Sequence, residues 1–205
     1  MTTVSNILEN LDRENGLEVN KLEKALKITK KNDRQNLSIA INALKKLEII
    51  IDLDDSKLGL NKDVELIRGR VRCSSKGYCF VVREELGEDI YIREANLNHA
   101  WHGDYVIVKI TKEGQKRKAP EGSIQCVLER NNDIILTKIE IDSISGDLKA
   151  YPLDDRIPVV IDIVSDKNIE IDKNNNDLIY EIKIIKYPIA QYTAVGSIIK
   201  ELPLN

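Results

Sequence analysis

Aromatic side chains are scarce: 205 residues hold one Phe, one Trp and seven Tyr, 4% of the chain. Cysteine is nearly as rare. Cys73, Cys79 and Cys126 form no C-x-x-C pair and are odd in number, which argues against a zinc knuckle or a disulfide framework. The expectation is three reduced thiols in a cytoplasmic protein. Histidine occurs twice, as His99 and His102, with no other ligand type at metal-binding spacing nearby. A turn around His102-Gly103-Asp104, with Gly103 supplying an unusual dihedral, is the expected structure there. Neighbouring Trp101 is expected to pack against a barrel end. No apolar run approaches about 18 residues, so no membrane helix is expected. The start, "MTTVSNILENLDRENG", lacks the basic and apolar blocks of a secretory signal. A net charge of −3 excludes a generally basic nucleic-acid binder, although charge can still be concentrated locally.

What is present divides into three segments, 1–62, 63–132 and 133–205. The first has apolar residues at helical spacing. Ile7, Leu8 and Leu11 mark one helix, and Val19, Leu22, Ala25 and Leu26 a second. Leu37, Ala40, Ile41 and Leu44, continued by Leu47, mark a third. "NDRQ" places the N-cap of the third at Asn32 or Asp33. "EIIIDLDDSKLGLN" then reads as two strands around a turn at Asp54–Lys57. Three helices and a hairpin predict a winged helix-turn-helix.

From Val64 the period changes to two. "LIRGRVRC", "GYCFVV", "DIYIRE", "DYVIVKI" and "SIQCVLE" are five short strands within about seventy residues, as in a small OB-fold barrel. A looser series follows: "IILTKIEI", "DLKAYP", "RIPVVIDIV", "LIYEIKIIKYP" and "AVGSIIKEL", with "DKNNNDL" as a loop. It predicts a second barrel. The fold class is therefore α+β multidomain, a winged helix followed by two small all-β OB-fold, cold-shock-like barrels. Helices and strands do not alternate, which excludes Rossmann and TIM architectures. Net charge is 0 over 1–60, +2 over 61–132 and −5 over 133–205.

The mildly basic middle segment also holds three of the nine aromatics within fourteen residues: Tyr78, Phe80 and Tyr91. Strand side chains alternate faces. If Cys79, Val81, Ile90 and Ile92 fill the barrel, the three rings stand outside beside Lys76 and Arg93. Exposed rings suit unstacked bases, at about 1–3 kcal/mol per base. The opposite orientation, with the rings inside, satisfies the same alternation. The loop "TKEGQKRKAPEG" gathers Lys112, Lys116, Arg117 and Lys118 between the fourth and fifth strands, either as a nucleic-acid grip or as a solvated loop.

"KGYCFVV" followed by "EDIYIR" resembles the paired RNA-binding motifs of cold-shock domains. Lys76, Gly77, Tyr78 and Phe80 fall on the first motif; Asp89, Tyr91 and Arg93 fall on the second. Cys79 replaces a glycine, Arg93 stands where a histidine is common, and Cys73 lies near a usual Trp. "AWHGDYVIVKI" and "EGSIQCVLERNN" resemble stretches of the first cold-shock domain of the ribonuclease II / ribonuclease R family. That resemblance implies a helix-turn-helix, two cold-shock domains, then a Mg²⁺-dependent catalytic domain holding its metals on aspartates. No such cluster is expected here: "DLDD" (Asp52–Asp55), "PLDDR" (Asp154, Asp155) and "DKNNND" read as solvated turns. No catalytic residue and no cofactor are assigned, and Mg²⁺ is implied only for a downstream domain. The expected partner is single-stranded RNA, guided toward a 3′→5′ exoribonuclease centre. Two alternatives stay open. One is a stand-alone RNA chaperone or adaptor. The other is a DNA-binding regulator displaying Arg34, Gln35, Ser38, Asn42, Lys45 and Lys46 on its third helix.

Overall fold

The computed structural model describes residues 4–53, 56–116, 118–164 and 178–203. Asp54, Asp55, Arg117 and most of the "DKNNNDL" segment lie outside the described residues. Three helices open the chain: α1 (Val4–Arg13), α2 (Val19–Ala25) and α3 (Lys31–Lys46). The short strand β1 (Leu17–Glu18) precedes α2, and β2 (Ile50–Asp52) and β3 (Lys57–Leu60) follow α3; the three pair in the order β1-β3-β2. Ile7, Leu8 and Leu11 of α1 meet Leu22, Leu37, Ile41 and Leu44 in one buried cluster, as the helical spacing requires.

Two local expectations fail here. Helix α3 begins at Lys31, with Lys30 in the N-cap position and no side-chain cap. Asp33 lies instead in the first turn, where a carboxylate favours the positive end of the helix dipole. Leu47 is the C-cap rather than part of the buried face, and it is partly exposed.

Strands β4 (Ile67–Cys73), β5 (Cys79–Arg83), β6 (Ile90–Ile92), β7 (Tyr105–Lys112) and β8 (Glu121–Glu129) close a barrel in the order β4-β5-β6-β8-β7. Its single parallel contact, β6 on β8, completes the closure. Strands β9 (Ile134–Ile141), β10 (Leu148–Pro152), β11 (Ile161–Ile163), β12 (Leu178–Lys186) and β13 (Ala194–Pro203) repeat the design, with β11 parallel to β13. Both are five-stranded, OB-like barrels. Val71, Val81, Ile90, Ile92, Val106 and Ile124 fill the first; Ile135, Ala150, Ile161, Tyr180 and Ile182 fill the second.

The apolar clusters run across the segment boundaries. Strand β7 is buried on both faces. Val106 and Val108 point into the barrel, while Ile107 joins Leu128 in the helical cluster. The continuous apolar run "YVIV" is the signature of such two-sided burial. At the other junction Trp101, 4% exposed, belongs to the apolar cluster of the second barrel, where its ring lies 5.3 Å from that of Tyr187.

The cysteines overturn the expectation of three thiols. Cys73 and Cys79 are disulfide-bonded across β4 and β5, and Cys126 is free. Five residues of turn bring the two strand ends into direct register, a relation that cysteine spacing does not reveal.

Candidate nucleic-acid interface

The outer surface of the first barrel carries a row of side chains that pairing sets side by side: Arg72 opposite Phe80, Phe80 opposite Tyr91, and Tyr91 opposite Glu121. The four belong to β4, β5, β6 and β8. The row faces outward because Cys79, Val81, Ile90 and Ile92, at the alternate positions, are buried in the barrel. Phe80 and Tyr91 are half-buried, their ring centroids 5.4 Å apart at 55°. Such tilted pairs are favourable in themselves and leave part of each ring exposed.

Tyr78 lies just outside β5, in the turn rather than on a strand. Its N–H donates to Ser74 Oγ at 3.2 Å, its carbonyl accepts the Ser74 N–H at 2.8 Å, and its side chain is 57% exposed. Lys76 is exposed at the tip of this turn, and Gly77 (φ +81°) supplies the left-handed residue that lets the chain reverse within five residues.

Two predicted cations are engaged within the protein. Arg93 Nε donates to Glu121 Oε2 at 2.9 Å, and Lys112 Nζ lies 3.6 Å from Glu121 Oε1. Partial burial pulls the Glu121 carboxyl upward, but Arg93 and Lys112 outweigh it and hold its pKa below the usual glutamate value. Both cations remain well exposed while paired with Glu121 at the end of the row. A bridge between Gln115 and Lys118 folds the loop that carries Lys116 and Lys118. Together they line a shallow hollow of about 430 Å³ with Phe80, Glu88 and Asp89. Arg117 lies outside the described residues.

Arg72 and Glu121 are members of this row that the strand reading missed. Arg72 was legible, because "RGRVRC" alternates arginine with barrel residues. Glu121 was not, because its position beside Tyr91 arises only when β6 closes on β8.

The remaining candidates have structural partners. His102 Nδ1 accepts the Cys73 N–H at 3.0 Å; burial first, and then Arg156, lower its pKa below the usual histidine value. Gly103 has φ +90° in the turn that precedes β7, and Asp104 is fully buried. Asp52 receives Lys45, and Asp154 receives Arg156. Among the described residues no group of three or more His, Cys, Asp or Glu is placed to hold a metal. No helix among the described residues is long and apolar enough to cross a membrane.

Two family models match the chain: a cyanobacterial RNase R N-terminal domain over residues 5–60, and a ribonuclease B OB domain over 69–127. Ribonuclease R of Acidithiobacillus ferrooxidans is 22% identical over 171 residues, 83% of this chain. The chain belongs to the ribonuclease II / ribonuclease R family and matches its N-terminal region.

A second relative is the acetazolamide conferring resistance protein zam of Synechocystis sp., 34% identical over 182 residues and 88% of this chain. The chain spans 23% of the length of that protein and 38% of the Acidithiobacillus enzyme. Two solved structures share the fold at 17% identity. Yeast Ssd1, a pseudonuclease, gives a TM-score of 0.53 over 67% of this chain and 23% of its own. Mycoplasma genitalium RNase R in complex with ribose-methylated single-stranded RNA gives 0.52 over 66% of this chain and 21% of its own. The ribonuclease B OB match covers the whole Arg72–Phe80–Tyr91–Glu121 row.

Proposed function

We propose that this chain binds single-stranded RNA on its first barrel and guides it, as the non-catalytic N-terminal region of a 3′→5′ exoribonuclease. The observation that carries this reading is the outward row Arg72–Phe80–Tyr91, with Tyr78 exposed beside it. Rings without a cover favour stacking by bases, and sequence hardly matters because every base has a π-face. Lys76, Arg93, Lys112, Lys116 and Lys118 would meet the phosphates, with Arg117 on the same loop. Membership of a ribonuclease family and a fold neighbour solved with single-stranded RNA support the choice of ligand. Such a role belongs in the cytoplasm. Catalysis and its Mg²⁺ would reside in a downstream domain of the kind the family carries.

We read the helical unit, with its three-stranded sheet, as a winged helix. A DNA-reading role for it is weakened by its own ion pairs. Lys45 is held by Asp52 at 2.6 Å and Arg34 by Glu23 at 3.2 Å, so two of the cations on the third helix are already neutralised. A chaperone or adaptor role would use the same barrel surface as the exonuclease reading.

Anisotropy titration of the chain with a labelled oligo(U) and with duplex DNA tests this function. Binding to the single strand is expected, with about a twentyfold loss between about 50 and 200 mM salt if about three phosphates are neutralised. No binding at low salt would overturn the proposal, and a preference for the duplex would favour the DNA regulator.

Replacing Glu121 with Gln separates the two roles of its partners. Without the carboxylate, Arg93 and Lys112 are both free to engage phosphate. Affinity for oligo(U) is expected to rise about threefold or more at low salt, with a steeper salt dependence. A fall in affinity would show instead that the Glu121 pairs are needed to aim the cations.

A further inference from the structure

The disulfide lies at the base of the turn that carries Tyr78. Cys73 ends β4, Cys79 opens β5, and the two are direct cross-strand partners with Cα atoms 4.1 Å apart. The adjacent pair, Ser74 and Tyr78, makes the ladder hydrogen bond. Cys73 and Cys79 therefore occupy a non-hydrogen-bonded position, where opposed side chains approach most closely. The Cys73 N–H is directed to His102 rather than across the hairpin. The bond closes a small ring around Ser74–Tyr78, which includes both Lys76 and Tyr78.

We propose that Cys73 and Cys79 form a thiol–disulfide exchange site, whose reduction by a dithiol loosens the Ser74–Tyr78 turn and weakens single-strand binding. The second half of this statement rests on the function proposed above; the first half does not. The cysteines are 7% and 4% exposed, and the approach to them is a cleft of about 500 Å³ between the barrels. The cleft touches Cys73, Cys79, Ser74 and Gly77 on one side, and Ile157 and Tyr192 on the other. A thiolate of the reductant bonds to one Sγ, and the other Sγ leaves as thiolate and takes a proton. The reductant's second thiol then attacks the mixed disulfide and frees the remaining cysteine. Two electrons and two protons pass to the pair, and the reductant departs as a disulfide.

The barrel tolerates the reduced form. Both side chains sit in the cluster of Val71, Val81 and Ile92, where a thiol behaves as a small hydrophobe. Reduction thus removes a staple from the turn and leaves the apolar core in place. The third cysteine stays out of the exchange. Cys126 packs against the helical cluster, and burial pushes its thiol pKa up to about 12. Thiolate, the reactive form, is scarce there.

The test treats the oxidised full chain with dithiothreitol under native conditions, then quenches with acid, unfolds it and alkylates. One alkyl group is expected before reduction and three after. Amide exchange over Ser74–Tyr78 should rise at least tenfold while β7 and β8 keep their protection, and the Kd for oligo(U) should rise about fivefold. Reoxidation with glutathione disulfide should restore each value. A Cys73→Ala/Cys79→Ala variant should hold the reduced values whatever the redox state; if it fails to fold, reduction of the native chain decides alone. A bond that native dithiol leaves intact, or a turn whose exchange ignores reduction, would overturn the proposal. A faster turn with unchanged affinity would overturn the link to binding. Absence of RNA binding in the oxidised chain would sink the functional reading, while labelling and exchange still decide the site.

Discussion

Alanine at both Tyr78 and Phe80 is expected to weaken single-stranded RNA binding by about 2–5 kcal/mol, since each stacked ring contributes about 1–3 kcal/mol. In affinity that is a loss of about thirtyfold to several thousandfold. The two rings differ in what else they do. Tyr78 projects from a turn and is absent from every buried cluster, so Tyr78→Ala removes a binding ring at little cost to the fold. Phe80 is half-buried against Tyr91, and its loss also exposes that partner. The single Tyr78→Ala variant is therefore the cleaner measurement, with an expected loss of about 1–3 kcal/mol. Melting curves on both variants separate unfolding from lost contact. A folded double variant that binds oligo(U) as tightly as the parent would assign the rings a role in the protein alone.

The largest stability effect is expected at Asp104. The residue is fully buried, yet it accepts hydrogen bonds from the Trp101 N–H (2.8 Å), the Asn131 N–H (3.0 Å) and Arg130 Nη1 (2.8 Å). Burial raises the pKa of its carboxyl above the usual aspartate value, and the Trp101 N–H, Arg130 and the Asn131 N–H oppose that shift. Asp104→Ala would leave a largely buried guanidinium without its counter-charge and two backbone donors without an acceptor. Breaking a buried pair in this way costs about 3–5 kcal/mol. The damage would reach the barrel joint, because Arg130 also lies over the rings of Tyr187 (4.4 Å) and Trp101 (5.7 Å). Trp101 is the chain's one tryptophan, so denaturant unfolding followed by its emission reads both stability and joint. A loss under about 1 kcal/mol with unchanged emission would mean that water or a neighbour replaces the carboxylate.

Much of the fold was legible because alternation is local. Ile90 and Ile92 must share a face whatever the barrel does, and Tyr91 must take the other. The helical spacing of Ile7, Leu8 and Leu11 was equally plain. What escaped depended on distant or absent partners. The start of α3 was misplaced because Lys30 caps it with backbone geometry alone. The cysteine bond required knowing that the Ser74–Tyr78 turn aligns Cys73 with Cys79. Glu121 joined the interface through a parallel contact thirty residues from Tyr91 in the chain. The two-sided burial of Ile107 was present in the sequence as an unbroken apolar run, and its second partner, the helical cluster, was visible only in three dimensions.

The place of Trp101 also bears on the order in which the protein is made. All five strands of the first barrel have been synthesised by Glu129, but Trp101 fills a cluster whose other buried members run from Ile135 to Ala194. Some sixty further residues must be made before the indole has all the buried apolar neighbours of that cluster. The first barrel is thus completed in sequence with one greasy flank uncovered, and the second barrel supplies its cover.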